Sequence, residues 1–89
     1  MFIDTGTIFM KIEISDSKYW KKLNYLDAKL YIELLSIDGK DNWRFITEKE
    51  RKKYIKSFSG VAWYEEDIKK YGDLIRKNTD FYVIPVRQL

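Results

Sequence analysis

Lys49, Lys52, Lys53 and Lys56 recur at spacings of three and four, which on a helix brings four ammonium groups to one outer face. Clustered point charges on a rigid rod do one kind of chemistry well. They displace counterions from a phosphate backbone, or they dock an acidic partner. The charge map supports a local patch: residues 1–46 carry seven basic and seven acidic groups, and residues 59–89 carry five of each. The whole net charge of +3 therefore comes from residues 47–58, where Lys49, Arg51, Lys52, Lys53 and Lys56 meet only Glu48 and Glu50. Arg44, Arg76, Lys77 and Arg87 are candidates to extend the patch. The same pattern also describes a lysine face that only keeps a helix solvated.

A second cluster is Trp63 with Glu65, Glu66 and Asp67. Trp63 falls off the apolar spacing of its segment, and an exposed tryptophan beside acids is a typical anchor of a protein interface. The acids have a plainer role as i,i+4 partners of Lys69 and Lys70. A hard cation needs oxygen ligands from several directions, and consecutive helix residues diverge, so no metal site is expected. The many Trp and Tyr residues could include a stacking platform for single-stranded bases, but their strand and helix spacings fit packing.

With no histidine and no cysteine, the usual general base, the thiol nucleophile and the commonest metal ligands are missing. Neither a glycine-rich phosphate loop nor a nucleophile elbow occurs. A non-enzyme without cofactor, metal or small-molecule substrate is the expectation. Absent cysteines also exclude a disulfide framework and point to a reducing, cytoplasmic setting. The apolar runs are too short to span a membrane, and MFIDTGTIF lacks the basic flank of a signal peptide.

These residues need elements to hold them. A chain of 89 residues with 45% hydrophobic and 17% aromatic content predicts one folded domain over 1–89. TIFMKIEIS over 7–15 alternates with period two, predicting a half-buried strand with Ile8, Met10, Ile12 and Ile14 inward and Glu13 outward. Asp16 and Ser17 can cap a short helix through Leu23, with Tyr19, Trp20 and Leu23 inward. From Tyr25 to Ile37 a second helix is predicted, its apolar stripe being Leu26, Leu30, Leu34 and Ile37, widened by Tyr31 and Leu35. The rival reading makes Leu30, Ile32 and Leu34 a strand that turns at Asp38 and Gly39. Trp43–Ile46 reads as a strand, and Thr47 with Glu50 forms a capping-box pattern opening the basic helix, 48–57. Ser57–Gly60 breaks it. A further helix to Asn78 carries Val61, Tyr64, Ile68, Tyr71 and Ile75 at helical spacing and acid-before-base pairs Glu65–Lys69, Glu66–Lys70 and Asp73–Lys77. Phe81–Val86 closes the chain as a strand, confined by Pro85 to a sheet edge or to its last residues.

The resulting class is a small α+β domain with three to four helices and a short antiparallel sheet. The order of elements, and the stretch SDSKYWKKLNYLDAKLYIELLSIDGKDNWRFITEKE within it, resembles winged helix-turn-helix domains, in particular the N-terminal modules of plasmid and phage replication initiators and related regulators. The resemblance implies a DNA-binding domain in which the helix after Gly60 enters the major groove. Trp63, Tyr64, Glu65, Glu66 and Asp67 depart from that pattern, because three carboxylates are repelled by a polyanion. Two functions compete. One is a winged-helix-like regulator or replication accessory that seats nucleic-acid phosphates on Lys49, Lys52, Lys53 and Lys56. The other is a phage- or plasmid-type inhibitor or adaptor that binds a host protein, such as a defence nuclease, CRISPR effector or polymerase, through Trp63 and Glu65–Asp67.

Overall fold

In the computed structural model, which describes residues 6–9, 11–71 and 79–89, the first predicted strand is two strands: β1 (Gly6–Phe9) and β2 (Ile12–Ser15) form an antiparallel hairpin whose register closes with Phe9 opposite Ile12. Ile8 pairs with Glu13 and Phe9 with Ile12, so the two-residue reversal puts the period-two alternation of β2 out of phase with that of β1, and the single inward set predicted from Ile8 to Ile14 does not share one register. The alternation still runs unbroken through the sequence, and neither Met10 nor Lys11 is a turn-forming residue, so no local signal marks the reversal.

The predicted helix over 16–23 is replaced by one 3₁₀ turn, Ser17–Tyr19, and a short strand β3 (Lys21–Leu23). Asp16 does cap the turn, its Oδ1 accepting the Lys18 amide at 3.0 Å. A strand wins beyond it because its backbone pairs with β5 (Phe81–Val83), Lys22 opposite Tyr82. Helix α1 (Tyr25–Leu34) starts under Asn24, whose Oδ1 accepts the Asp27 amide. It stops three residues before the predicted end. Asp38 and Gly39, at φ 52° and 77°, turn the chain tightly so that Ile37 and Lys40 exchange backbone hydrogen bonds. Two successive left-handed residues are the Asp-Gly signature of a hairpin turn. Helix and turn, taken as rivals in the sequence, both exist.

β4 (Trp43–Phe45) leads into α2 (Glu48–Tyr54), and α3 (Glu65–Tyr71) follows an extended segment rather than a helical turn. The predicted helix from Val61 thus begins four residues later. Tyr82 accepts from the Trp63 amide and donates to the Val61 carbonyl, so 61–63 runs parallel to β5 and covers its second edge. The side chains of Lys69 and Lys70, and residues 72–78 with the proposed Asp73–Lys77 pair, lie outside the described residues.

The final strand also divides, at Ile84. β5 belongs to the small sheet, whereas β6 (Pro85–Gln88) crosses to a four-stranded sheet of order β1-β2-β6-β4, antiparallel throughout. Pro85 opens β6, a position that needs no amide donor. β6 itself is internal.

That sheet has a core on each face. On one side Tyr25, Ala28 and Ile32 of α1 pack with Trp43, Phe45, Trp63 and Val83. On the other, Ile12, Ile14, Ile46 and Val86 are covered by Tyr54, Ile55 and Phe58 at the end of α2. Of the predicted inward stripe, Ile37 is buried and Tyr31 and Leu35 pack against the core, but Leu26, Leu30 and Leu34 face outward at 47%, 54% and 73% exposed. Large apolar residues at helical spacing marked a stripe, but the sheet selected the opposite face, where Ala28 allows close approach. Glu13, expected in water, is completely buried. The radius of gyration is 12.5 Å, close to the roughly 12 Å of a compact chain this long.

Candidate nucleic-acid interface

The site is built from the start of α2. Thr47 Oγ1 accepts the Glu50 amide at 3.1 Å, and Glu50 Oε1 accepts the Thr47 amide at 3.0 Å, completing the predicted capping box. Glu50 works twice. Its carboxylate also grips the Arg44 guanidinium from β4 in a two-pronged contact of 2.8 and 3.0 Å. That contact, then the Thr47 bonds, hold the Glu50 carboxyl below its ordinary range against the opposing effect of burial, and the same Glu50 contact raises the Arg44 guanidinium pKa. A third clamp comes from α3, where Glu66 accepts the Glu48 amide at 3.2 Å.

With its start fixed to the sheet, α2 turns Arg51 inward. Arg51 Nε donates to the Tyr64 hydroxyl at 3.2 Å, and its guanidinium lies 6.0 Å from the Phe58 ring. Lys49, Lys52 and Lys53 are left on the outer surface, with Lys56 in the turn that follows, and all four are exposed. Lys52 reaches Glu48 at 3.3 Å one turn back, an exposed contact that contributes little and is screened by salt. Lys53 Nζ sits 5.3 Å from the Tyr54 ring.

The tertiary fold adds a residue that sequence spacing had no means of finding. Lys11, in the β1–β2 turn, lines a cleft of about 370 Å³ together with Lys49, Lys53, Tyr54 and Gln88. The Lys11 carbonyl accepts from the Gln88 side chain at 3.2 Å and from the Leu89 amide at 2.9 Å, which fixes the turn beside α2. Three lysines from two elements thus border one depression. Arg44 and Arg87 do not extend it. Arg44 is held by Glu50, and Arg87 is turned to the buried Glu13, its Nη2 3.1 Å from the carboxylate. Arg76 and Lys77 lie outside the described residues.

The second predicted surface is not assembled as expected. Trp63 is only 2% exposed; its Nε1 donates to the Leu23 carbonyl at 2.7 Å and its ring packs on Phe81 at 4.7 Å. Because 61–63 is an extended segment, the off-stripe position inferred from helical spacing points Trp63 into the core. Glu65 accepts the Phe45 amide and Glu66 the Glu48 amide, so both tie α3 to the β4–α2 connection. Asp67 is half-buried in the first turn of α3. Among the described residues no three carboxylates gather in a metal-binding arrangement, and no helix is long and apolar enough to cross a membrane.

Comparison with known proteins returns no match: no family model fits the chain, and no curated protein or solved structure is similar to it.

Proposed function

We propose that this chain is a small, non-catalytic nucleic-acid-binding protein of winged-helix-like design, a cytoplasmic regulator or replication accessory that lays α2 along a phosphate backbone. One observation carries the reading. The segment holding the chain's entire excess of positive charge presents Lys49, Lys52 and Lys53 to solvent on a helix anchored at its start and Lys56 in the turn after it, and Lys11 joins Lys49 and Lys53 around a cleft. An anchored helix holds its charges at fixed spacing, so less ordering cost opposes contact with regularly spaced phosphates.

The same geometry favours α2 over α3 as the contact. The first turn of α3 carries Glu65, Glu66 and Asp67, and two of these carboxylates are engaged with backbone amides. A helix start of that charge does not approach base edges. Binding through phosphates alone carries no sequence information, so affinity should vary little between duplex sequences.

The test is a salt titration of duplex binding. Four or five lysine contacts give a log–log slope of about −3 to −5. The double variant Lys52→Glu/Lys53→Glu should abolish binding while leaving the fold intact, since both side chains are exposed. Absent or salt-independent binding rejects the reading.

A further inference from the structure

Leu26, Leu30 and Leu34 form an unbroken ridge along the solvent side of α1, directly opposite the Tyr25, Ala28 and Ile32 face that packs on the sheet. Beside it runs a groove of about 500 Å³ bordered by Leu23, Tyr31 and Leu35. A solvated helix face has no use for three leucines in a row, and a contiguous apolar ridge of this kind marks a contact surface. We propose that this face is the two-fold interface of a homodimer, in which two α1 helices pack antiparallel about Leu30.

The shape and charge of the face both select a second copy. Residues four apart form the helix ridge that interdigitates with an identical ridge at a crossing angle of about −50°, and here each copy brings both the ridge and the adjoining groove. Lys29 and Glu33 flank the same edge of the ridge. With a two-fold axis at Leu30, Lys29 lies about 1.5 Å along the helix to one side of the axis and Glu33 about 4.5 Å to the other. Symmetry then sets the partner's Glu33 within about 3 Å, along the axis direction, of Lys29, and the reciprocal pair forms as well. A uniformly basic partner helix would meet Lys29, and a uniformly acidic one would meet Asp27 and Glu33. A second copy pairs Lys29 and Glu33 reciprocally.

α1 and the end of α2 cover opposite faces of the four-stranded sheet, so the dimer leaves the lysine face open and does not depend on nucleic-acid binding. Sedimentation equilibrium on the full chain should give twice the 10.8 kDa monomer mass, and Leu30→Arg should return it to one monomer mass with an unchanged far-ultraviolet spectrum. Because the chain has no cysteine, position can be read directly. Leu30→Cys should form a disulfide-linked dimer on mild oxidation, as should a mixture of Leu26→Cys and Leu34→Cys chains, whereas Leu26→Cys alone should not. A monomer at about 100 µM, a dimer that survives Leu30→Arg, or equal crosslinking at all three positions singly would overturn the proposal.

Discussion

Glu13 sits on the middle of the sheet with no exposed surface, and β6 places Arg87 directly opposite it. Arg87 Nε and Nη2 approach one carboxylate oxygen at 3.2 and 3.1 Å, and Lys40 Nζ lies 3.6 Å from the other. Such a buried pair contributes little net stability when whole, yet removing one member leaves an uncompensated charge. Arg87→Met should therefore cost about 3 kcal/mol in urea unfolding, and adding Glu13→Leu should restore most of it. Glu50 is a carboxylate whose pairing shifts its titration. Its folded pKa lies below the unfolded value near 4.5, so its contribution is complete above that value and disappears as pH falls through the lowered one. Arg44→Met should bring the Glu50 carboxyl back toward the ordinary range in an NMR titration and flatten the rise of stability with pH across the acid limb. Burial, and then Tyr19, raise the Tyr31 hydroxyl above 10.0, so that group favours the folded state at neutral pH and ceases to as pH rises through the folded value. The hydroxyl donates to the Tyr19 carbonyl at 2.6 Å.

At the level of elements, α2 is the most dependent on its attachments. Seven residues are too few to form a helix in isolation, so its order rests on the Thr47–Glu50 box, the Arg44 grip and the Glu66 clamp. Thr47→Ala should cost about 1 kcal/mol in thermal or urea unfolding. Glu50→Ala should cost more, because one substitution removes both the cap and the partner of Arg44. The box was readable in the sequence because all its members lie within four residues. The inner face of α1 was not, because leucine periodicity identifies an apolar stripe without saying which side meets the sheet. Gly60 marks a close approach of elements: a Cβ there would fall 2.9 Å from both the Phe58 and Tyr82 rings, which ties the break after α2 to β5.

For the molecule as a whole, the last strand joins everything. β6 lies between β2 and β4, so the C-terminal residues complete a sheet begun by the N-terminal hairpin. Removing residues 85–89 should abolish cooperative unfolding and collapse the dispersion of the amide NMR spectrum, whereas removing the exposed Leu89 alone should leave the transition sharp. The same closure creates the basic cleft, since Gln88 and Leu89 hold the Lys11 turn against α2. Loss of β6 should therefore remove the proposed nucleic-acid binding along with the fold.

Local chemistry was decided by the residues alone. The capping box, the cap at Asn24, the Asp38–Gly39 turn and the concentration of charge in 47–58 depend on neighbours within a few positions, and each can be read where it is written. Partner choice across the sheet needed the folded chain. Only strand pairing could reveal that 7–15 contains a reversal, that 61–63 is extended and buries Trp63, that Glu13 goes inside to Arg87, and that Lys11 stands beside Lys49. Backbone hydrogen bonding between distant segments outweighs the weak preference of any short apolar run, and it leaves no periodic trace in the sequence.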